Sequence, residues 1–547
     1  MAEGGRQGPA GGGGGGAGRP GGPRSGQGPR GGSGPRGGQG PRGGQGPRGG
    51  QGPRGGQGPR QGQSDAQPRR GVQQDRYTTV DVARQVAFDV LRAVDAEDAY
   101  ANLVLPKTLR QRRLHGRDAA FATELAYGVL RSRGTYDAIL QACLDRPIEQ
   151  LDPPVRDLLR LGAHQLLALR VPDHAAVATT VALTRVAVGT GAAGLVNAVL
   201  RKLPARDLDG WLAEVLPDAA ADEDTHLAVR WSHPQWVVRS LREALRAHGQ
   251  DAAQLPDLLA ADNAAPAVAL TALPGLCDAA ELVATGARPG RWSPTAAVMD
   301  GGDPGALPSV RDGRARVQDE GSQLAALLLT AAAVEGADGR WLDLCAGPGG
   351  KAAVLAATAA QRGGHLVAVE VSEHRTRLVE SSLQAVTRAA AQAGTRPPEV
   401  RTADGREVGT EEPGAYDRVL VDAPCTGLGA LRRRPEARWR RTPADLGALG
   451  PLQRALLTSA VQAVRPGGVV AYVTCSPVLA ETRLVVDDVV RAQGKRGLAL
   501  ERLDTAGLLH AVTGAAVPGA AAGTAVQLWP HLHGTDAMHV QLLRRTS

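Results

Sequence analysis

Leu342-Asp343-Leu344-Cys345-Ala346-Gly347-Pro348-Gly349-Gly350-Lys351 decides how this chain folds. A strand-like run, Gly339–Leu344, ends in a glycine-rich turn that opens onto helix-like sequence. Glycines there let backbone approach a ligand closely and adopt positive φ. The stretch is not G-x-x-x-x-G-K-[ST], which disfavours a P-loop. Further strand-like runs follow at His365–Val369, Arg418–Val421 and Gly468–Val473. Strands separated by helical lengths predict βαβ units and a parallel sheet from about residue 316 onward. Ala537–Arg544 reads as a late edge strand.

Two acids fall where such a sheet collects a nucleoside. Glu370 ends the second strand, nineteen residues after Lys351, placed to accept hydrogen bonds from ribose hydroxyls. Asp404, in Ala403-Asp404-Gly405, sits at another strand end and suits an adenine amino group. Two cysteines also fall at strand C-termini, in Asp422-Ala423-Pro424-Cys425-Thr426-Gly427 and Val473-Thr474-Cys475-Ser476-Pro477. A doubly wound sheet points both toward the cofactor crevice. Cytosine C5 is too weak a nucleophile to attack a methyl sulfonium unaided. A thiolate adding to C6 makes C5 enamine-like, so the chemistry needs one low-pKa cysteine and a helper for release.

Outward from this half the texture changes. Between about Thr78 and Pro204 the pattern is helical. Val82, Val86, Val90 and Val94 share one face of a first helix capped by Asp81 or Thr79. Helices are predicted over 117–131, 136–144, 153–169, 174–187 and 191–202. Residues 205–315 read as a linker with a small α/β subdomain, entered through Trp231-Ser232-His233-Pro234-Gln235-Trp236 and a helix running to about Ala247. The expected domains are therefore a 1–75 tail, a 76–215 helical domain, a 216–315 linker subdomain and a 316–547 Rossmann-like α/β domain.

The tail repeats G-G-Q-G-P-R, with Arg24, Arg30, Arg36, Arg42, Arg48, Arg54 and Arg60 at a six-residue period. It has almost no apolar side chains to offset chain entropy, so disorder is expected. A flexible RNA-binding arm and a solubilising tail both fit it. Its eleven arginines against three acids account for the whole net charge of +8 in 547 residues. Any RNA contact in the folded part must come from local patches. Arg432, Arg433, Arg434, Arg438, Arg440 and Arg441, with Trp439 among them, read as such a patch beside Cys425.

Five cysteines without a C-x-x-C pair disfavour zinc and disulfides, so no metal and a reducing, cytoplasmic setting are expected. No 18-residue apolar run and no secretory h-region occur, and no membrane association is expected. Cys143 and Cys277 carry no assigned role.

Residues 78 to 547 resemble the RNA cytosine-5 methyltransferase family, in particular the RsmB/Sun (Fmu) type of 16S rRNA enzyme. The motifs are Gln318-Asp319-Glu320-Gly321-Ser322-Gln323, the glycine-rich loop, D-A-P-C-T-G-L-G, R-R-R-P-E-A-R-W-R and T-C-S. The stretches 119–131 and Leu195-Val196-Asn197-Ala198-Val199-Leu200-Arg201 resemble a NusB-type RNA-binding domain. The resemblance implies that Cys475 is the nucleophile, that Cys425 assists adduct release and that Asp422 contacts the cytosine. It implies that Cys345, Ala346, Gly347, Pro348, Gly349, Gly350, Lys351, Glu370, Arg375, Asp404 and Asp422 bind S-adenosyl-L-methionine. Its order of domains favours 16S rRNA, acted on by a monomer. Methylation of tRNA and a non-catalytic assembly role remain alternatives. Two departures are Thr482 after Glu481, where the family commonly has Asn, and Glu370, where Asp is frequent.

Overall fold

The computed structural model describes residues 80–547, so the expected disordered tail over 1–75 lies outside the described residues. The first helix, α1 (Val82–Ala96), starts where the Asp81 carboxylate accepts the Arg84 N–H at 2.9 Å. Its Val86, Val90 and Leu91 are buried. It packs on α3 (Gly116–Ala142) after a short α2 (Ala101–Gln111), and α4 (Pro153–Leu167), α5 (Asp173–Ala187) and α6 (Thr190–Leu200) complete the bundle. The sequence predicts two helices across 117–144, but α3 is continuous. Gly134, in the gap between the two predicted stretches, lies inside the helix, and a Cβ there would lie 2.6 Å from the Trp439 ring.

Further helices, Leu208–Val215, Glu223–Arg230, Gln235–Ala247 and Leu255–Asn263, lead to a four-stranded antiparallel sheet. Its strands are β1 (Val268–Ala272), β2 (Arg288–Pro289), β3 (Ala296–Met299) and β4 (Ala315–Val317), in the order β2-β3-β1-β4. The Gln318–Gln323 motif fastens this small sheet to the helix Glu320–Ala331 that leads into the catalytic half. The Glu320 carboxylate accepts the backbone N–H groups of Arg291, Trp292 and Ser293 at 3.2, 2.7 and 2.9 Å. Gln323 donates to the Leu270 carbonyl at 3.2 Å and accepts from the Ser293 hydroxyl at 2.8 Å. Both side chains are buried, where unmade bonds of this kind are costly.

The catalytic sheet contains β5 (Arg340–Asp343), β6 (His365–Glu370), β7 (Glu399–Thr402), β8 (Tyr416–Asp422), β9 (Val464–Thr474), β10 (Leu500–Arg502), β11 (Ala521–Ala522), β12 (Ala525–Gln527) and β13 (His539–Arg545). The strand order is β11-β12-β13-β9-β8-β5-β6-β7, with β10 also on β13. Strands β5 to β9 pair in parallel, and β13 runs antiparallel to β9. Alternate residues serve opposite faces. Trp341, Leu366, Leu420 and Ala471 enter one apolar layer; Leu342, Val367, Val419 and Tyr472 enter the other. Both faces are covered, as a parallel sheet requires. Strand β13 is no edge: β9 lies on one side and β12 and β10 on the other, so its alternating pattern is that of an interior antiparallel strand.

From β5 the chain builds outward through β6 and β7, then crosses back to β8 on the other side of β5. This reversal opens a crevice at the C-terminal ends of β5 and β8, where such sheets bind ligands.

Candidate active site

The floor of the crevice is the loop after β5. Ala346 N–H donates to the Val369 carbonyl at 2.9 Å, and Gly349 N–H to the Ala346 carbonyl at 2.7 Å. Gly349 has φ +103°, and a Cβ there would meet Ser382 Cβ at 2.5 Å. At Gly347 a Cβ would sit 2.3 Å from a Glu370 oxygen. Neither position has room for a side chain. Glu370 is buried at the end of β6 and accepts the N–H groups of Gly347 and Ser372, both at 3.1 Å. Arg375 folds over it, 3.4 Å from its carboxylate, and donates to the Gly347 carbonyl at 2.5 Å. Asp404, beyond β7, accepts from Arg406 Nε at 3.0 Å, which holds it below the usual carboxylate range.

Lys351 opens the helix Gly350–Gln361, and its ammonium reaches the Asp422 carboxylate at 2.7 Å. Burial opposes that charge, yet contact with Asp422 leaves Lys351 above the ordinary lysine range. Beside them Asp343 is buried, and neither carboxylate oxygen has a hydrogen-bond partner. Burial, with Asp422 adding repulsion, pushes it up to about 7. Sequence reasoning missed Asp343, although an acid closing an apolar strand just before a glycine-rich turn is a readable signal.

Cys425 follows β8 and Cys475 follows β9, and their sulfur atoms lie 3.4 Å apart. The hydrogen bond from Cys425 holds the Cys475 thiol below the ordinary range, against burial and Asp422, with Arg434 and Lys351 assisting. The same contact, with burial, drives Cys425 well above it. Of the two, Cys475 is therefore the more readily ionised thiol. Burial, with Asp343 and Asp422 adding repulsion, lifts Cys345 well above the ordinary range, which makes it a poor nucleophile.

The two cysteine loops are fixed from behind. Glu481, buried, accepts the Thr426 N–H at 2.7 Å, the Thr426 hydroxyl at 2.5 Å and Gln453 Nε2 at 3.3 Å. Gln453 also donates to the Pro424 carbonyl at 2.9 Å. Gly429 N–H donates to the Cys475 carbonyl at 2.9 Å, and a Cβ there would collide with that carbonyl and with Ala537. Thr482 bonds back to the Val478 carbonyl at 3.0 Å and closes the local turn. Gln453 is a supporting residue that the motifs did not single out, and Glu481 was named there without this role. Cys143 lies in the helical core and Cys277 in the core of the small sheet domain, both away from this pair.

The arginine run does not form the surface patch its sequence suggests. Arg438 is fully buried and donates to the Ser232 carbonyl at 3.1 Å, Asn263 Oδ1 at 2.7 Å and the Asp262 carbonyl at 3.2 Å. Arg432 is buried against the Gly534 carbonyl at 2.8 Å. Arg440 reaches the Val94 carbonyl at 2.8 Å and the Ala99 carbonyl, and Arg433 is ion-paired with buried Asp536. Arg441 pairs with Asp445 at 3.4 Å. Trp439 stacks against Gly134 and Arg133 of α3 instead of offering a free face. The segment is a strap between the helical bundle and the catalytic sheet, its cations held mainly by carbonyls and carboxylates of other elements. Only Arg434 of the six is exposed.

A helical bundle and a small antiparallel sheet set against a doubly wound sheet, with two thiols and a glycine cradle at its switch point, make the arrangement of an α/β enzyme. The family model described as 16S rRNA methyltransferase RsmB/F matches residues 331–544, and the NusB family model matches residues 81–204. Rv1407 of Mycobacterium tuberculosis, a putative methyltransferase by its name, is 50% identical over 471 residues, 86% of this chain and 98% of that one. Ribosomal RNA small subunit methyltransferase B of Vibrio cholerae is 31% identical over 74% of this chain and 88% of its own. The crystal structure of PH0851 shares the fold, with TM-score 0.67 at 19% identity over 85% of this chain and 99% of that one. The chain belongs to the 16S rRNA methyltransferase RsmB/F family and carries a NusB-like domain ahead of its methyltransferase domain. No helix among the described residues is long and apolar enough to cross a membrane.

Proposed function

We propose that the chain transfers a methyl group from S-adenosylmethionine to C5 of a cytosine in 16S rRNA, through a covalent bond between Cys475 and C6. The carrying observation is the sulfur pair 3.4 Å apart, with Cys475 held below and Cys425 pushed above the ordinary thiol range. Family membership, and relatives named for ribosomal RNA, support the choice of substrate.

The crevice fits the cofactor. Two glycines leave no space for side chains, the Asp343 carboxylate has no protein partner, and Glu370 retains unused lone pairs. Cys345 to Lys351, Glu370, Arg375, Asp404 and Asp422 would hold S-adenosylmethionine, which supplies an electrophilic methyl group when bound. The remaining work belongs to the chain. The Cys475 thiolate adds to C6, and the electron pair gained by the ring makes C5 nucleophilic. Asp422, fixed by Lys351, faces the ring. After methylation a base removes the C5 proton and the C6–S bond breaks. Cys425 assists because its thiol again hydrogen-bonds the departing thiolate. The target base must be unstacked, since thiolate and methyl donor approach it together.

Bisulfite mapping of 16S rRNA from a strain lacking the gene tests this reading. One cytosine loses its methyl group and regains it with the wild-type gene but not with Cys475→Ala. An unchanged methylation map contradicts the reading.

A further inference from the structure

The folded part of the chain carries no net charge once the tail is set aside, so an acid-free basic stretch on its surface stands out. Residues 100–117 contain Lys107, Arg110, Arg112, Arg113 and Arg117 and no Asp or Glu. All five are exposed, and among the described residues only Arg112 of the five has an ion pair, with Asp89 at 3.2 Å. Tyr100, Leu103, Lys107 and Arg110 follow one another at helical spacings of three and four, which puts them on one face of α2. Tyr100 and Leu103 are among the exposed large apolar side chains, Leu103 at 64%.

This face starts at the catalytic mouth. Ala101 N–H donates to Glu436 of the strap at 3.2 Å. The Arg434 and Arg440 guanidinium groups lie over the Tyr100 ring, 5.4 and 5.2 Å from its centroid. Arg434, the exposed arginine of the strap, is also among the cations that favour the Cys475 thiolate. Arg434 thus joins the electrostatic surroundings of Cys475 to the Tyr100 end of α2. The eleven-residue α2 runs about 16 Å and ends at the turn that bears Arg113, with Arg117 in the first turn of α3 just beyond.

We propose that Arg434, Tyr100 and the Leu103–Lys107–Arg110 face of α2, continued by Arg113 and Arg117, form the track along which the RNA flanking the target cytosine is held. An aromatic ring and an aliphatic side chain offer contact to unstacked bases, and unpaired cations spaced along the track offer contact to phosphates. The track rests on the proposed function and replaces the buried arginines of the strap as the RNA contact.

The test uses the full chain with Lys107→Gln, Arg110→Gln and Arg117→Gln combined, and Arg434→Gln separately, against a 16S rRNA transcript. Because these side chains are exposed, melting temperature and S-adenosylmethionine affinity stay at the wild-type values. The triple variant binds RNA at least tenfold more weakly at moderate salt. Its log K against log salt slope is shallower by about 2, from three lost phosphate contacts at roughly 0.7 each. KM for RNA rises while kcat is retained. A triple variant with wild-type affinity and slope overturns the track alone. A wild-type chain that does not bind the transcript overturns the track and the rRNA substrate together.

Discussion

The Cys425 and Cys475 sulfur atoms lie in hydrogen-bond contact across 3.4 Å, which lowers the pKa of Cys475 and raises that of Cys425, as fits Cys425 as the donor. The contact also makes the pair chemically unequal, because only one of the two is primed to attack. Removing the donor should therefore raise the pKa of Cys475. Alkylation of Cys475 by iodoacetamide, followed against pH by peptide mapping, has its midpoint below the ordinary thiol value in the wild type. In Cys425→Ala the midpoint moves upward. A midpoint that stays in place shows that the thiolate is stabilised by other groups.

Asp343 gives the chain a pH-dependent weakness. Folded Asp343 keeps its proton to about pH 7, whereas the ordinary aspartate value is 3.8. The folded state then binds more protons than the unfolded state between these values, so stability falls as pH rises through that window. Asp343→Asn should stabilise the chain at pH 8, by at most about 4 kcal/mol for a shift of this size, and leave it unchanged near pH 4. Urea melts at the two pH values check this. Equal destabilisation at both would mean that the carboxylate is partnered after all.

Glu481 holds the Cys425 turn through Thr426 and Gln453. Glu481→Ala leaves buried donors unpaired, at about 1–3 kcal/mol each, and loosens the turn that positions one sulfur against the other. Thermal melts should show lower stability. Kinetics should show kcat falling more than KM for S-adenosylmethionine changes. A variant with wild-type kcat would separate the turn from catalysis.

The strap is expected to separate stability from RNA binding. Arg438→Ala removes a fully buried guanidinium with three partners and should cost about 3–5 kcal/mol, read by urea denaturation. Gly134→Ala presses on Trp439 across the same junction and should cost about 1–3 kcal/mol. Arg434→Gln should leave the denaturation midpoint unchanged. If Arg438→Ala is as stable as wild type, the strap does not hold the domains.

The catalytic half was readable because its chemistry sits at strand ends, where short motifs mark backbone geometry. Gly349 needs a positive φ, Cys475 follows an apolar strand, and both features survive in local sequence. What was not readable depends on distant partners. Arg438 and Arg434 look alike in a run of arginines, yet one faces Ser232 and Asn263 while the other faces solvent. The gap between the stretches ending at 131 and starting at 136 closes into one helix, whose Gly134 packs on Trp439, a distant partner that nothing local reveals. The alternation of β13 does not tell an interior antiparallel strand from an edge. Glu481 bears on Cys425 through Thr426 and Gln453, across 55 residues of sequence to Thr426.

The assignment of the two sulfurs is tested most directly by mixing purified wild-type, Cys425→Ala and Cys475→Ala chains with 16S rRNA transcript and S-adenosylmethionine, then resolving them on a denaturing gel. The account predicts a slow-migrating RNA–protein adduct with Cys425→Ala, no adduct with Cys475→Ala, and no methyl transfer with Cys475→Ala. An adduct that forms with Cys475→Ala and not with Cys425→Ala would contradict it and reverse the two roles.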